Sequence, residues 1–92
     1  MDITKIQILR SDDRGVMYNC DKLHFIVRKK DTTSADHTHE KGEVLFLING
    51  EMELTVGDET RVVKAMSKIK IPPNTYHKLI ALTDIGLLEY RY

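Results

Sequence analysis

Residues 43–56 constrain this chain more than any other stretch. Glu43-Val44-Leu45-Phe46-Leu47-Ile48 and Glu51-Met52-Glu53-Leu54-Thr55-Val56 are two runs joined by Asn49-Gly50. Asn-Gly between two such runs is the strongest short hairpin signal, because a type I′ turn needs φ > 0 at both central positions. The expected register pairs Ile48 with Glu51, Leu47 with Met52, Leu45 with Leu54 and Glu43 with Val56. Opposed residues point to the same side. One face then reads Glu43, Leu45, Leu47, Met52, Leu54 and Val56, and the other Val44, Phe46, Ile48, Glu51, Glu53 and Thr55. The first face is apolar with Glu43 at its end, which predicts the interior of a small barrel with a polar site at one mouth.

The rest of the chain is patterned in the same way. Residues 3–9 alternate around Ile6 and Ile8 and read as a strand. Ser11 to Gly15 is turn chemistry. Val16 to Cys20 reads as a short strand, Asp21-Lys22 as a tight connection and Leu23 to Lys30 as a strand. Asp31 to Asp36 is polar and reads as loop. After the hairpin, Gly57-Asp58 is a second tight turn, and Glu59 to Ala65 a strand. A short segment, Met66 to Ile71, leads into the rigid turn Pro72-Pro73-Asn74. His77, Leu79 and Ala81 share one face of the next run. Thr83 to Gly86 turns the chain. In the last strand Leu88, Tyr90 and Tyr92 lie on one side and Leu87, Glu89 and Arg91 on the other. No segment sustains a 3.6-residue period, so the expected class is all-β, a sandwich or barrel in one domain over 1–92.

Lysine plus arginine and aspartate plus glutamate each number 14, so the formal net charge is zero. No basic excess points to nucleic acid. No apolar run approaches membrane-spanning length, and the N-terminus has no signal-peptide pattern. Cys20 is the only cysteine, which excludes an internal disulfide and fits a reducing cytoplasm.

Just ahead of the central run lies His37-Thr-His39-Glu40-Lys41-Gly42-Glu43. Residues two apart on a strand share a face, so His37 and His39 project together. Glu43 joins them if the strand is unbroken at Gly42. Three such groups on one face are an arrangement for holding a divalent ion.

These residues resemble the cupins. The first cupin motif runs from H-x-H through a glutamate to a glycine, and His37-x-His39-x₃-Glu43-x₆-Gly50 fits it. Its leading glycine is replaced by Asp31. The second motif is matched by Pro72-x-Asn74-x₂-His77, with Asn74 in place of a glycine; asparagine also tolerates the left-handed region. Met66 stands where the leading glycine of that motif is usual, and Ala81 where its final asparagine is usual. The resemblance covers about residues 23–92 and implies a double-stranded β-helix, or jelly-roll barrel. It also implies one divalent transition metal held by His37, His39, Glu43 and His77. Three imidazoles and a carboxylate suit Fe, Mn, Ni, Co or Zn alike.

Other residues take plainer readings. His24 shares parity with Ile26 and is read first as a core or surface histidine, with a contact to the site as the alternative. Glu40 and Lys41 read as solvated loop charges, Tyr76 as packing, and Cys20 as a small buried hydrophobe. The apolar stripe Val44, Phe46 and Ile48 faces outward, so a second chain or the N-terminal strand must cover it. This predicts a homodimer.

Three functions fit the sequence. The first is a metal-dependent cupin acting on a small molecule, for which the resemblance implies a dioxygenase, isomerase or decarboxylase. The second is a metal-free sugar-nucleotide epimerase or ketoisomerase. Asp13-Arg14-Gly15 looks like the start of that branch, and His39-Glu40-Lys41 is loosely similar to its catalytic stretch. The third is a ligand-binding barrel without turnover. No glycine-rich phosphate loop and no arginine cluster is visible near the site, which argues against a phosphorylated ligand.

Overall fold

The computed structural model describes residues 1–92 and contains no helix. Ten strands run in chain order: β1 (Gln7–Asp12), β2 (Gly15–Cys20), β3 (Leu23–Arg28), β4 (Thr33–His37), β5 (Glu43–Asn49), β6 (Glu51–Val56), β7 (Glu59–Lys64), β8 (Ser67–Ile71), β9 (His77–Ala81) and β10 (Ile85–Arg91). They form two antiparallel sheets, ordered β1-β2-β3-β10-β5-β8 and β4-β9-β6-β7. This is a jelly-roll, as expected. Between the sheets lies a core of Ile26, Leu45, Leu47, Met52, Leu54, Ile71, Leu79, Ala81, Ile85 and Leu87. Period-2 alternation supplies that core from both sheets.

The expected hairpin is not formed. β5 pairs with β10 and β8, whereas β6 pairs with β7 and β9. Asn49-Gly50 carries the chain from one sheet to the other. Only Gly50 of the two has a positive φ, 89°, so the backbone is not a type I′ turn. Gly50 instead packs against the backbone of Asp84 and the Thr83 hydroxyl, where a Cβ would clash. Glu51 holds the same corner: its N–H donates to Thr83 Oγ1 at 3.0 Å and its carbonyl accepts from Leu82 at 3.0 Å. The expected faces survive, because Leu45 and Leu47 meet Met52 and Leu54 across the sandwich instead of along one sheet.

Three further expectations change. Residues 33–37 form β4 rather than loop. The first strand begins at Gln7 and extends to Asp12, into the segment read as turn. Outward-facing Val44 is 3 % exposed, flanked by Lys70 and Tyr90 of the neighbouring strands. Phe46 is half-buried, with the Tyr90 ring 6.3 Å away and the Lys68 ammonium 5.7 Å above it. Long side chains of the same sheet thus cover most of the stripe, and the N-terminal strand does not. β1 pairs only with β2 at the far edge. Exposed apolar surface is concentrated there instead, on Ile3, Ile6, Ile8 and Leu9.

Candidate metal centre

His37, His39 and Glu43 do not share one strand. β4 ends at His37 and β5 begins at Glu43, in the opposite sheet. The chain bends at Glu40 and Lys41 to cross between the sheets, and Gly42 then joins the β5–β10 ladder. Gly42 exchanges two backbone hydrogen bonds with Tyr92, at 3.0 and 3.1 Å, and the Tyr92 ring occupies the space a Cβ would need. The groups therefore converge from two sheets across the mouth of the sandwich.

His77 opens β9 directly opposite His37 in the four-stranded sheet. The Pro72-Pro73-Asn74 turn delivers it. Asn74 adopts the left-handed conformation, φ 57°, and its N–H donates to the His39 carbonyl at 2.9 Å. That bond ties the second histidine segment to the first. The three imidazole centroids are 4.8–4.9 Å apart pairwise. One ligand atom from each lies within 4.8 Å of the others, so the three histidines can hold a metal ion.

Glu43 closes the group. It is 3 % exposed, with Oε2 2.9 Å from His77 Nε2 and Oε1 3.5 Å from His39 Nε2. The other ring nitrogens have partners of their own. His77 Nδ1 lies 3.0 Å from the Thr75 carbonyl and His39 Nδ1 2.6 Å from the Lys41 carbonyl. A carbonyl only accepts, so both Nδ1 atoms carry the proton. In the neutral rings each Nε2 is then a bare lone pair. Both Nε2 atoms are buried without a hydrogen-bond partner. Burial holds the His77 imidazole below its ordinary pKa. Burial, then the neighbouring imidazoles of His77 and His39, does the same for His37. Two lone pairs facing a carboxylate repel unless a cation lies between them. The donor set therefore fits a divalent ion on its own chemistry.

Residues not foreseen complete the surroundings. Glu89 is 8 % exposed, and its carboxyl is pushed up to about 7 by burial, then by the charge of Glu43 and their hydrogen bond. Arg91 Nε lies 3.7 Å from both carboxylates. His24 Nδ1 is 3.6 Å from Glu89, so His24 touches the site through Glu89. Inward-facing charge on β10 was the available signal: Leu87, Glu89 and Arg91 were on one side of the strand, but only the structure shows which side is interior. Glu40 and Lys41 are solvent-exposed. Tyr76 is also exposed and donates to Asp36. Cys20 is half-buried and free.

A cavity of about 160 Å³ adjoins the centre. His37, Glu43, Glu89 and Arg91 line one part of it, Met17, Ile26, Leu79 and Leu87 supply apolar wall, and Arg10, Arg14, Arg28 and Ser34 line the rest. The arginine cluster that the sequence did not reveal is thus assembled by the fold.

A family model described as a cupin domain matches residues 23–87. No curated protein matches the sequence. Among solved structures, the capsular polysaccharide assembling protein CapF from Staphylococcus aureus superposes with a TM-score of 0.83 at 18 % identity, over 97 % of this chain and 28 % of that one. An RmlC-like cupin from Shewanella frigidimarina gives 0.75 at 22 % identity, over 92 % and 81 %. A salicylate 1,2-dioxygenase variant from Pseudoaminobacter salicylatoxidans gives 0.71 at 16 % identity, over 82 % and 21 %. The chain spans less than a third of the length of CapF and of the dioxygenase.

Proposed function

The chain belongs to the cupin family, and from that premise we propose that His37, His39, Glu43 and His77 hold one divalent transition metal beside a cavity that receives a small molecule. One observation carries the reading: the His39 and His77 Nε2 atoms, both buried without a hydrogen-bond partner, converge on the Glu43 carboxylate. A bound ion supplies Lewis acidity and open coordination positions for ligand oxygens. This chain's residues do the remainder. The Thr75 and Lys41 carbonyls fix the two ring tautomers, Glu89 and Arg91 orient Glu43, and the apolar walls exclude water from the ligand's body.

A second reading, metal-free isomerisation of a sugar nucleotide, draws support from Arg14, which lines the same cavity. Metal content separates the two. Protein purified without an affinity tag should carry about one transition metal per chain by mass spectrometry, and His37→Ala/His39→Ala should carry none. A protein that is metal-free and refuses added Fe, Mn, Ni, Co and Zn overturns the first reading and favours the second. Turnover of a bound small molecule would distinguish an enzyme from a binding barrel. We also propose association of two copies through the exposed apolar side chains of Ile6, Ile8 and Leu9, which a monomer at high concentration would refute.

A further inference from the structure

Arg28 is 5 % exposed, yet no carboxylate lies within ion-pairing distance of it. Its Nε donates to Ser34 Oγ at 3.0 Å and its Nη1 to the Val27 carbonyl at 3.1 Å. Both acceptors are neutral. Nη2 has no protein partner, and the side chain borders the cavity. Asp12 and Glu89 attract the guanidinium only from beyond contact distance, so this buried charge has no directly paired partner, which is unfavourable. The neighbouring arginines do not relieve it. Arg14 is engaged by Asp12 at 2.7 Å and Arg91 by Glu43 and Glu89, while Arg10 adds a further positive charge at the rim. Arg28 is thus the one arginine of the group whose cavity-side N–H groups suit an anion.

The remaining walls define the rest of that anion. Between Arg28 and the histidine end the cavity is bounded by Met17, Ile26, Leu79 and Leu87. An inorganic anion would leave those apolar surfaces facing water. A cavity of about 160 Å³ is close to the ~150 Å³ that accommodates a benzene ring. Nε is already spent on Ser34 and one Nη1 N–H on Val27, which leaves the outer edge of the guanidinium, one N–H from Nη1 and one from Nη2, for a ligand. Its two N–H groups match the two oxygens of one carboxylate.

We propose that this cavity takes a small organic carboxylate with a compact hydrocarbon body, its carboxylate seated on Arg28. The opposite end of the molecule then lies toward His37 and Glu43. Only that orientation rests on the metal-centre reading; the anion seat rests on Arg28 alone.

The experiment is titration of sodium benzoate, uncharged benzamide and inorganic phosphate into the full chain, followed by calorimetry and by the arginine Nε–H resonances in ¹H–¹⁵N spectra. It is run with and without added Zn²⁺. Benzoate should bind at least about tenfold more tightly than benzamide, since charge-assisted hydrogen bonds carry the difference. It should shift a slowly exchanging arginine Nε–H that is absent from Arg28→Lys. Arg28→Lys should weaken benzoate at least about tenfold while metal stoichiometry stays at the wild-type value. Benzoate no tighter than benzamide overturns the proposal, and needs no variant to fold. Phosphate matching benzoate overturns the organic-acid class. Selective benzoate binding to protein that takes no metal upholds the anion seat while the metal centre fails.

Discussion

The two ends of the cavity are built in opposite ways. At one end, His37, His39 and Glu43 come from a seven-residue span, and His77 joins them through one turn. At the other, Arg10, Arg14, Arg28 and Ser34 come from four separate strands and turns. The metal end concentrates lone pairs and negative charge; the arginine end concentrates positive charge. Local spacing is enough to write the first, because i, i+2 and i+6 positions with a bend at Glu40 and Lys41 fold back on themselves. The second exists only once β1, β2, β3 and β4 have been brought together. A cluster of charges can therefore be a firm feature of a fold and leave no motif.

Substitutions can break this comparison or sharpen it. Leu47 is fully buried in the core that both ends share. Leu47→Ala should cost about 2–5 kcal/mol in urea unfolding and weaken both ends together. Glu43→Ala should strike the metal end alone, lowering metal affinity more than about 100-fold in a chelator competition. Benzoate binding to the apo-protein should persist in that variant. If it vanished, the two ends would be one coupled site. Glu89→Leu removes the hydrogen bond to Glu43 without touching a histidine, and about a tenfold loss of metal affinity is expected by the same assay. Ser34→Ala is the smallest probe. It frees Arg28 Nε, and calorimetry should show benzoate binding weakened about threefold, with metal content unchanged.

What the sequence reveals follows from the same physics. Alternation predicts correctly that Leu45, Leu47, Met52 and Leu54 face inward, because side-chain parity depends only on the local chain. It cannot say that β5 and β6 belong to different sheets, since both arrangements bury the same residues. Asn49-Gly50 pointed to a hairpin on dipeptide chemistry, and tertiary packing of Gly50 on Asp84 decided otherwise. β4 is not legible in the sequence, because Thr33-Ser34-Ala35-Asp36-His37 has no apolar alternation. Its one buried polar side chain is satisfied by Arg28, six residues earlier. His37, His39 and His77 were legible as a group, and the structure brings them together. Arg28 shares parity with Ile26, as His24 does, so an inward charge could have been read there. Nothing local indicated that it would lack a partner.

The position of β10 has a consequence for how the molecule is made. The last strand in the chain sits between β3 and β5 in the six-stranded sheet and carries Glu89 and Arg91 beside the histidines. During synthesis, β3 and β5 emerge long before the strand that joins them. Until then each presents an open edge, and Glu43 lacks two of its neighbours. β1-β2-β3 and β5-β8 can each pair earlier, but the sheet is completed only when residues 85–91 insert between them. A nascent chain paused short of that segment would expose two unpaired strand edges to its neighbours.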